Sequence, residues 1–411
     1  MTAPQVFTAK AEAWAATLGF DDAQTILAAH ALPLATEHVR LAKAGRRVLA
    51  EPVCARLDAP RHDAAAMDGF AVREEDFAAG LRRFRIAGCA YPGNPWNGIL
   101  APGEAVRIMT GAAMPVGAGR VIVREATMMD GGVVVIGADL SARTHVRPRA
   151  SDIARGDQLL AAGRLLEPRA LLVAAAADVE SIVAWRRPRV HVIASGDELT
   201  APGSAAADPQ KLPDSLSQAV LLMARQWGGV PIGADLVADG AGALREAARA
   251  ALDTCDVLVM SGGASKGDRD FARLGLEPLG LELAFADVAI KPGKPVWYGR
   301  IGDRHVLGLP GNPTAAMTIA RLFLAPLLAA LGGRGALAGL AWTPAPLLAP
   351  VPDAGPRESF LCAEWRDGGV RVIDRQSASA QFLLAGADAL VRRPVHAPGL
   401  AAGCLVDLLR F

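Results

Sequence analysis

At 411 residues the chain is too long for a single hydrophobic core, since cores stop growing near ~250 to 300 residues, so several domains are expected. With 52% hydrophobic residues, 43 Gly and 28 Pro it holds ample core and turn material, which excludes wholesale disorder. A net charge of +1 without a like-charge run removes the electrostatic case for nucleic acid or an anionic membrane surface and leaves a small molecule as the expected ligand.

Lys10 and Glu12 interrupt the place where a signal peptide needs an apolar run. The richest apolar stretch, Ile319 to Leu331, contains Arg321 and Pro326 and is too short on its own to span a bilayer. A cytoplasmic protein is expected. Five scattered cysteines and seven histidines show no zinc spacing, so a bound metal should take oxygen ligands.

Apolar residues at helical spacing from Val6 to Leu41, broken at Leu32-Pro33, predict two N-terminal helices. From 51 to 141 the pattern shortens to strands (FAV, EAVRIM, RVIVRE, VVVIG), a β-rich lobe. Residues 142–185 read as a return segment that rejoins residues 1–50, with a helix from Pro168 to Ala177. From 186 to 333, strand and helix alternate as in a doubly wound α/β domain. The strands are RVHVIA, VPIGADLV, DVLVMS, LELAFADVAI, VWYGRI and HVLGL, and the closing helix is PTAAMTIARLFLAPLLAAL. After Gly332-Gly333, residues 334–411 predict one small β domain.

In an open α/β sheet, ligands bind beyond the carboxyl ends of the strands. The first strand leads to Asp197 and Glu198, the second to Asp239, and the third to SGGASKGDRDF with Asp270. Such acids suit a hydrated Mg2+, which takes carboxylates together with substrate phosphate oxygens. Ser261, Gly262, Gly263 and Ser265 suit a phosphate-cradling turn. The chain has only six lysines, and Lys291 and Lys294 both lie in KPGKP, where prolines stiffen a loop carrying compact charges. In LPGNP, Pro310 and Gly311 precede Asn312, a candidate N-cap, and Pro313. In the β-rich lobe, Asp63 precedes an alanine run, Asp68-Gly69 reads as a turn, and Thr110 ends a strand.

The ordered set MDGFAV, RIMTGAAMP, SDI, SGDEL, SGGASKGDRD, KPGKP and LPGNP resembles the MoeA-type molybdopterin molybdenumtransferases and the related E domain of gephyrin. The likeness is strong over roughly 50 to 330. It implies a multidomain protein with a central α/β molybdopterin-binding domain, β-rich lobes, and an elongated homodimer whose active site lies at the subunit boundary. The implied reaction inserts metal from molybdate into adenylylated molybdopterin and releases AMP, with Mg2+ aiding anhydride cleavage. By matching position, Glu198, Asp270, Asp197 and Asp239 correspond to functional carboxylates, with Asp239, Asp270 and Glu198 as metal ligands. The turn Ser261–Ser265 and the lysines Lys291 and Lys294 correspond to phosphate and oxyanion contacts, and Asp63 and Asp152 to acids from the other lobes. A molybdopterin adenylyltransferase and recipient molybdoenzymes are the implied protein partners.

The chain departs from the family pattern at Ala64-Ala65-Ala66, where Asn-Ser-Ala is usual, at Leu216 for Asn, at Lys266 for an apolar residue, and at Cys362 near an expected arginine. Sequence alone leaves two other readings open. One is a non-enzymatic or weakened relative that binds molybdopterin or acts as a scaffold; the other is a molybdopterin adenylyltransferase.

Overall fold

The computed structural model describes residues 18–138, 141–262 and 271–411. Its centre is a six-stranded sheet in the order Val230–Val237, Arg189–Ser195, Val257–Ser261, Arg304–Leu309, Trp297–Ile301, Glu282–Ala286. The first four strands are mutually parallel, and Trp297–Ile301 runs antiparallel to both of its neighbours. Alternation along the strands explains the two covered faces. Val190, Val192, Val257, Val259, Leu307 and Leu309 enter one core, and Ile193, Leu258, Met260 and Val306 the other. The helix Ser217–Gln226 covers the first face and Ala241–Leu252 the second.

The first face also takes in Phe20, Ala23 and Leu27 from the helix Phe20–His30, and Phe360, Cys362 and Leu390 from the C-terminal sheet. One core therefore fixes the C-terminal sheet against the α/β domain. Within it, the helical run from Pro313 to Leu331 is almost wholly buried. Its 19 residues reach spanning length, longer than the apolar stretch singled out in the sequence, yet burial inside the protein already accounts for its composition. Pro326 has no N–H for the Leu322 carbonyl, and Gln24 Nε2 donates to that oxygen instead at 2.8 Å. The helix widens to π geometry over Ala320–Leu324 where this occurs.

The β-rich lobe is a six-stranded sheet ordered Arg120–Val123, Gly69–Val72, Glu104–Ile108, Arg83–Ala90, Val133–Ile136, Thr127–Asp130. Before it, the expected second N-terminal helix is absent. Thr36–Arg40 is a strand, paired antiparallel with Ser181–Trp185, because tertiary pairing overrides a weak local periodicity. The expected strand through Ile290 divides as well. Glu282–Ala286 stays in the central sheet, whereas Ile290–Lys291 pairs with Glu358–Ser359 of the C-terminal sheet.

Candidate active site

The parallel strands end at Ser195, Val237, Ser261 and Leu309, and their loops surround a cleft of about 790 Å³. Of the sequence candidates, Glu198, Asp239, Ser261, Gly262, Lys294, Pro310, Gly311 and Asn312 line it. Gly263, Ser265, Lys266 and Asp270 lie outside the described residues. Asp197 is exposed and does not line the cleft; its Oδ1 accepts the Asp239 amide at 3.1 Å and its carbonyl accepts Lys211 Nζ at 2.6 Å. Lys291 is exposed on the strand that joins the C-terminal sheet and does not line the cleft.

Glycines set the shape of the floor. At Gly262 φ is +88° and a Cβ would meet the Ser195 carbonyl oxygen at 2.2 Å, so that position is closed to side chains on two counts. A Cβ on Gly196 would meet Glu198 Oε2 at 2.7 Å, so glycine there lets the glutamate fold back over its own turn. Ser195 is buried, and its hydroxyl donates to Asp239 Oδ1 at 2.6 Å.

Lys294 is held from both sides. Its carbonyl accepts the Val288 amide at 3.0 Å, and the Gly293 carbonyl accepts the Val296 amide at 3.1 Å. Asn312 occupies the N-cap position of the helix starting at Pro313, but its side chain makes no capping hydrogen bond. The helix start also offers few donors to a ligand. Pro313 has no N–H, and the Thr314 and Ala315 amides donate to the Ala378 carbonyl at 3.1 and 3.3 Å. Thr314 Oγ1 donates to the Ala380 carbonyl at 3.0 Å. These bonds pin a C-terminal loop at the helix start and bring Ser379 and Gln381 to the cleft wall.

Gln381 and Asp287 carry no sequence signal beyond polarity, and the sequence singled out neither as a site residue. Asp214 also lines the cleft, and its Oδ1 accepts the amides of Leu216 and Ser217, both at 3.1 Å, as the chain enters its helix. Three departures from the family pattern turn out to be core residues: Ala64, Ala65 and Cys362 are 4%, 0% and 1% exposed. Leu216, 7% exposed, belongs to the core while touching the cleft. Burial pushes the Cys362 thiol up to about 11, so it stays protonated and packs as a small apolar group.

Asp63, Asp152 and Thr110 are exposed and do not line this cleft. Asp63 Oδ1 accepts the Arg149 amide at 2.8 Å, and the Asp152 amide donates to the Ala59 carbonyl at 3.1 Å. Asp68 Oδ1 accepts both the amide and the hydroxyl of Thr110 at 2.7 Å. Those two bonds hold the Asp68 carboxyl below its ordinary range.

Among the described residues no three His, Cys, Asp or Glu side chains gather as a metal site. Glu198 and Asp239 are the two candidate carboxylates on the cleft. Two carboxylates beside room for phosphates fit Mg2+, which keeps waters and shares its shell with substrate.

Comparison with known proteins agrees with this architecture. Residues 18–177 match the family described as "MoeA N-terminal region (domain I and II)", and residues 191–330 match "Probable molybdopterin binding domain". The molybdopterin molybdenumtransferase of Haemophilus influenzae is 33% identical over 303 residues, 74% of each chain. That of Synechococcus elongatus is 31% identical over 392 residues, 92% of this chain and 95% of its own. The crystal structure of the molybdopterin biosynthesis MoeA protein from Pyrococcus horikoshii superposes with a TM-score of 0.80 at 29% identity, covering 96% of this chain and 99% of that one. The chain belongs to the molybdopterin molybdenumtransferase family.

Proposed function

We propose that the chain is a cytoplasmic homodimer that inserts molybdenum from molybdate into adenylylated molybdopterin and releases AMP. The family places it in molybdenum cofactor biosynthesis as a transferase. The observation that carries the reading is the cleft itself, where Glu198, Asp239 and Lys294 meet on Gly- and Pro-shaped loops at the carboxyl edge of the parallel strands. We propose a four-part division for the chain: 1–50 with 142–185, 51–141, 186–333 and 334–411.

The reaction brings two anions together, the substrate's phosphates and tetrahedral molybdate. Two unit charges 4 Å apart repel by about 4 kcal/mol at an effective dielectric of 20, so a fixed cation and oriented polar groups must offset that cost. Lys294 supplies the cation, and Ser261, Asn312 and Ser379 supply polar groups around it. Glu198 and Asp239, with Asp270, would hold Mg2+, whose charge when bound polarises the phosphate anhydride. Ser195 and Asp197 orient Asp239. An adenylyltransferase would need only the α/β domain. A non-enzymatic relative loses support because three of the departures are packed into cores.

Asp63 and Asp152 are exposed, which suits contact with the cleft of a second subunit. Mixing Asp63→Asn with Glu198→Gln protein tests the shared site. Each variant alone is inactive, and hybrid dimers holding one intact site recover AMP release. Two inactive variants that do not complement each other would overturn the dimeric part of the proposal.

A further inference from the structure

Away from the cleft, the N-terminal lobe meets the α/β domain around a narrow crevice of about 20 Å³. Guanidinium groups from three separate segments line it: Arg46 and Arg47, Arg186 and Arg187, and Arg334. Two of these are matched. Arg47 pairs with Glu37 at 2.5 Å, and Arg186 grips Asp256 through two bonds of 2.7 and 3.0 Å. Arg46, Arg187 and Arg334 meet no carboxylate at ion-pair distance among the described residues.

Their partners are neutral. Arg46 donates to the Gln226 carbonyl at 2.8 Å, and Arg187 donates to the Gly228 and Gly229 carbonyls at 2.9 and 2.8 Å. Arg334 lies 5.8 Å from the centre of the Trp227 ring. The carbonyls belong to the end of the helix Ser217–Gln226 and the turn after it. A helix end carries about half an elementary charge, which offsets part of one guanidinium, and Glu167 acts on Arg334 without reaching ion-pair distance. Arg47 Nε is buried and has no hydrogen-bond partner. The crowding shows in the charges themselves. Burial, then Arg47, Arg46 and Arg225, push the Arg187 guanidinium below its ordinary value. Burial also lowers Arg334, with Arg46 adding to the effect and Glu167 opposing it.

We propose that this crevice binds a single phosphate group, which clamps the N-terminal lobe to the α/β domain. Planar guanidinium forks converging from several sides suit a tetrahedral oxyanion better than any neutral ligand. The crevice opens only about 20 Å³ to the centres of entering atoms, a space that matches the oxygens of one tetrahedral phosphoryl group and excludes a ring. Inorganic phosphate and the phosphoryl end of a phosphomonoester share this chemistry. The inference is independent of the reaction assigned to the cleft.

Equilibrium dialysis of the full chain against radiolabelled inorganic phosphate at fixed ionic strength tests it. The wild type should show one saturable site per chain with a Kd below about 1 mM, and Lys294→Ala should retain it. Arg187→Gln and Arg334→Gln should each weaken it by about ten-fold or more. Arg46→Gln, at an exposed position, carries the same test should the half-buried variants fail to fold. Competition by glycerol phosphate shows that the crevice also accepts a phosphomonoester, and a lack of competition restricts the ligand to the inorganic ion. Absence of saturable binding in the wild type overturns the proposal. So does a site lost in Lys294→Ala and kept in all the arginine variants.

Discussion

The Ser195 hydroxyl and the Asp239 carboxylate are joined by a 2.6 Å hydrogen bond between the ends of neighbouring parallel strands. Asp239 Oδ1 is the acceptor, and among the described residues Oδ2 takes no hydrogen bond. One oxygen is thus fixed by the scaffold, and the other is left to a ligand of the cleft that Asp239 lines. Hydrogen bonds to charged groups contribute about 1.5 to 3 kcal/mol, roughly ten- to a hundred-fold in rate. Ser195→Ala should slow AMP release by that factor without unfolding the chain, and Asp239→Asn should slow it further. A Ser195→Ala enzyme at wild-type rate beside an inactive Asp239→Asn would remove the serine from the account.

Gly262 and Gly280 both adopt positive φ, +88° and +89°, but a Cβ on Gly280 meets nothing within 4 Å. Gly280→Ala should therefore cost only the backbone strain, about 1 kcal/mol. Gly262→Ala adds the clash with the Ser195 carbonyl and should cost several-fold more while disrupting the Ser195–Asp239 bond. Urea midpoints for the two variants decide this, and equal losses would contradict the close approach of the two loops.

His305 is 4% exposed, stacked on Tyr298 and hydrogen-bonded through Nδ1 to its hydroxyl at 2.8 Å. Burial holds its imidazole down to about 4. The unfolded chain protonates this histidine near 6.5 while the folded chain resists, so the unfolded state binds more protons between those values. Stability from this group is complete above pH 6.5 and falls as pH drops toward 4, by about 3 kcal/mol in all. Urea melts from pH 7 to 4 should show that loss, and His305→Gln should flatten it. An unchanged pH profile in the variant would show that another group is responsible.

Ala64 and Ala65, buried at the edge of the β-rich lobe, pair with Arg147 and Val146 of the segment that follows it. Placing Asn and Ser there buries polar groups, at a cost of about 1 to 3 kcal/mol each where no partner is found. The double variant should melt lower and keep the same half-saturating molybdate concentration. A clear fall in that concentration would restore a binding role to these positions.

The central sheet was legible because its parallel strands are short apolar runs closed by Gly and Pro, and its loops carry the acids and Lys294 where such a sheet binds ligands. The strand Thr36–Arg40 was not legible, since its partner Ser181–Trp185 lies far along the chain and its own few residues fall within a run of helical spacing. Gln381 escaped for the same reason. It reaches the cleft only because Thr314 and Ala315 bind the Ala378 carbonyl across domains, a contact that no local pattern announces. Sequence likewise could not tell that Ala64, Ala65 and Cys362 are interior residues, because a small or apolar side chain reads alike in a core and in a depleted pocket.

Molybdate-dependent release of AMP from adenylylated molybdopterin by the purified protein is the decisive measurement of whether this chain is a molybdenum insertase. Turnover should require molybdate and Mg2+ and fall by at least about a hundred-fold in Glu198→Gln, as loss of a metal-holding carboxylate should. A wild-type protein that binds the adenylylated cofactor but releases no AMP at any molybdate concentration would contradict that activity.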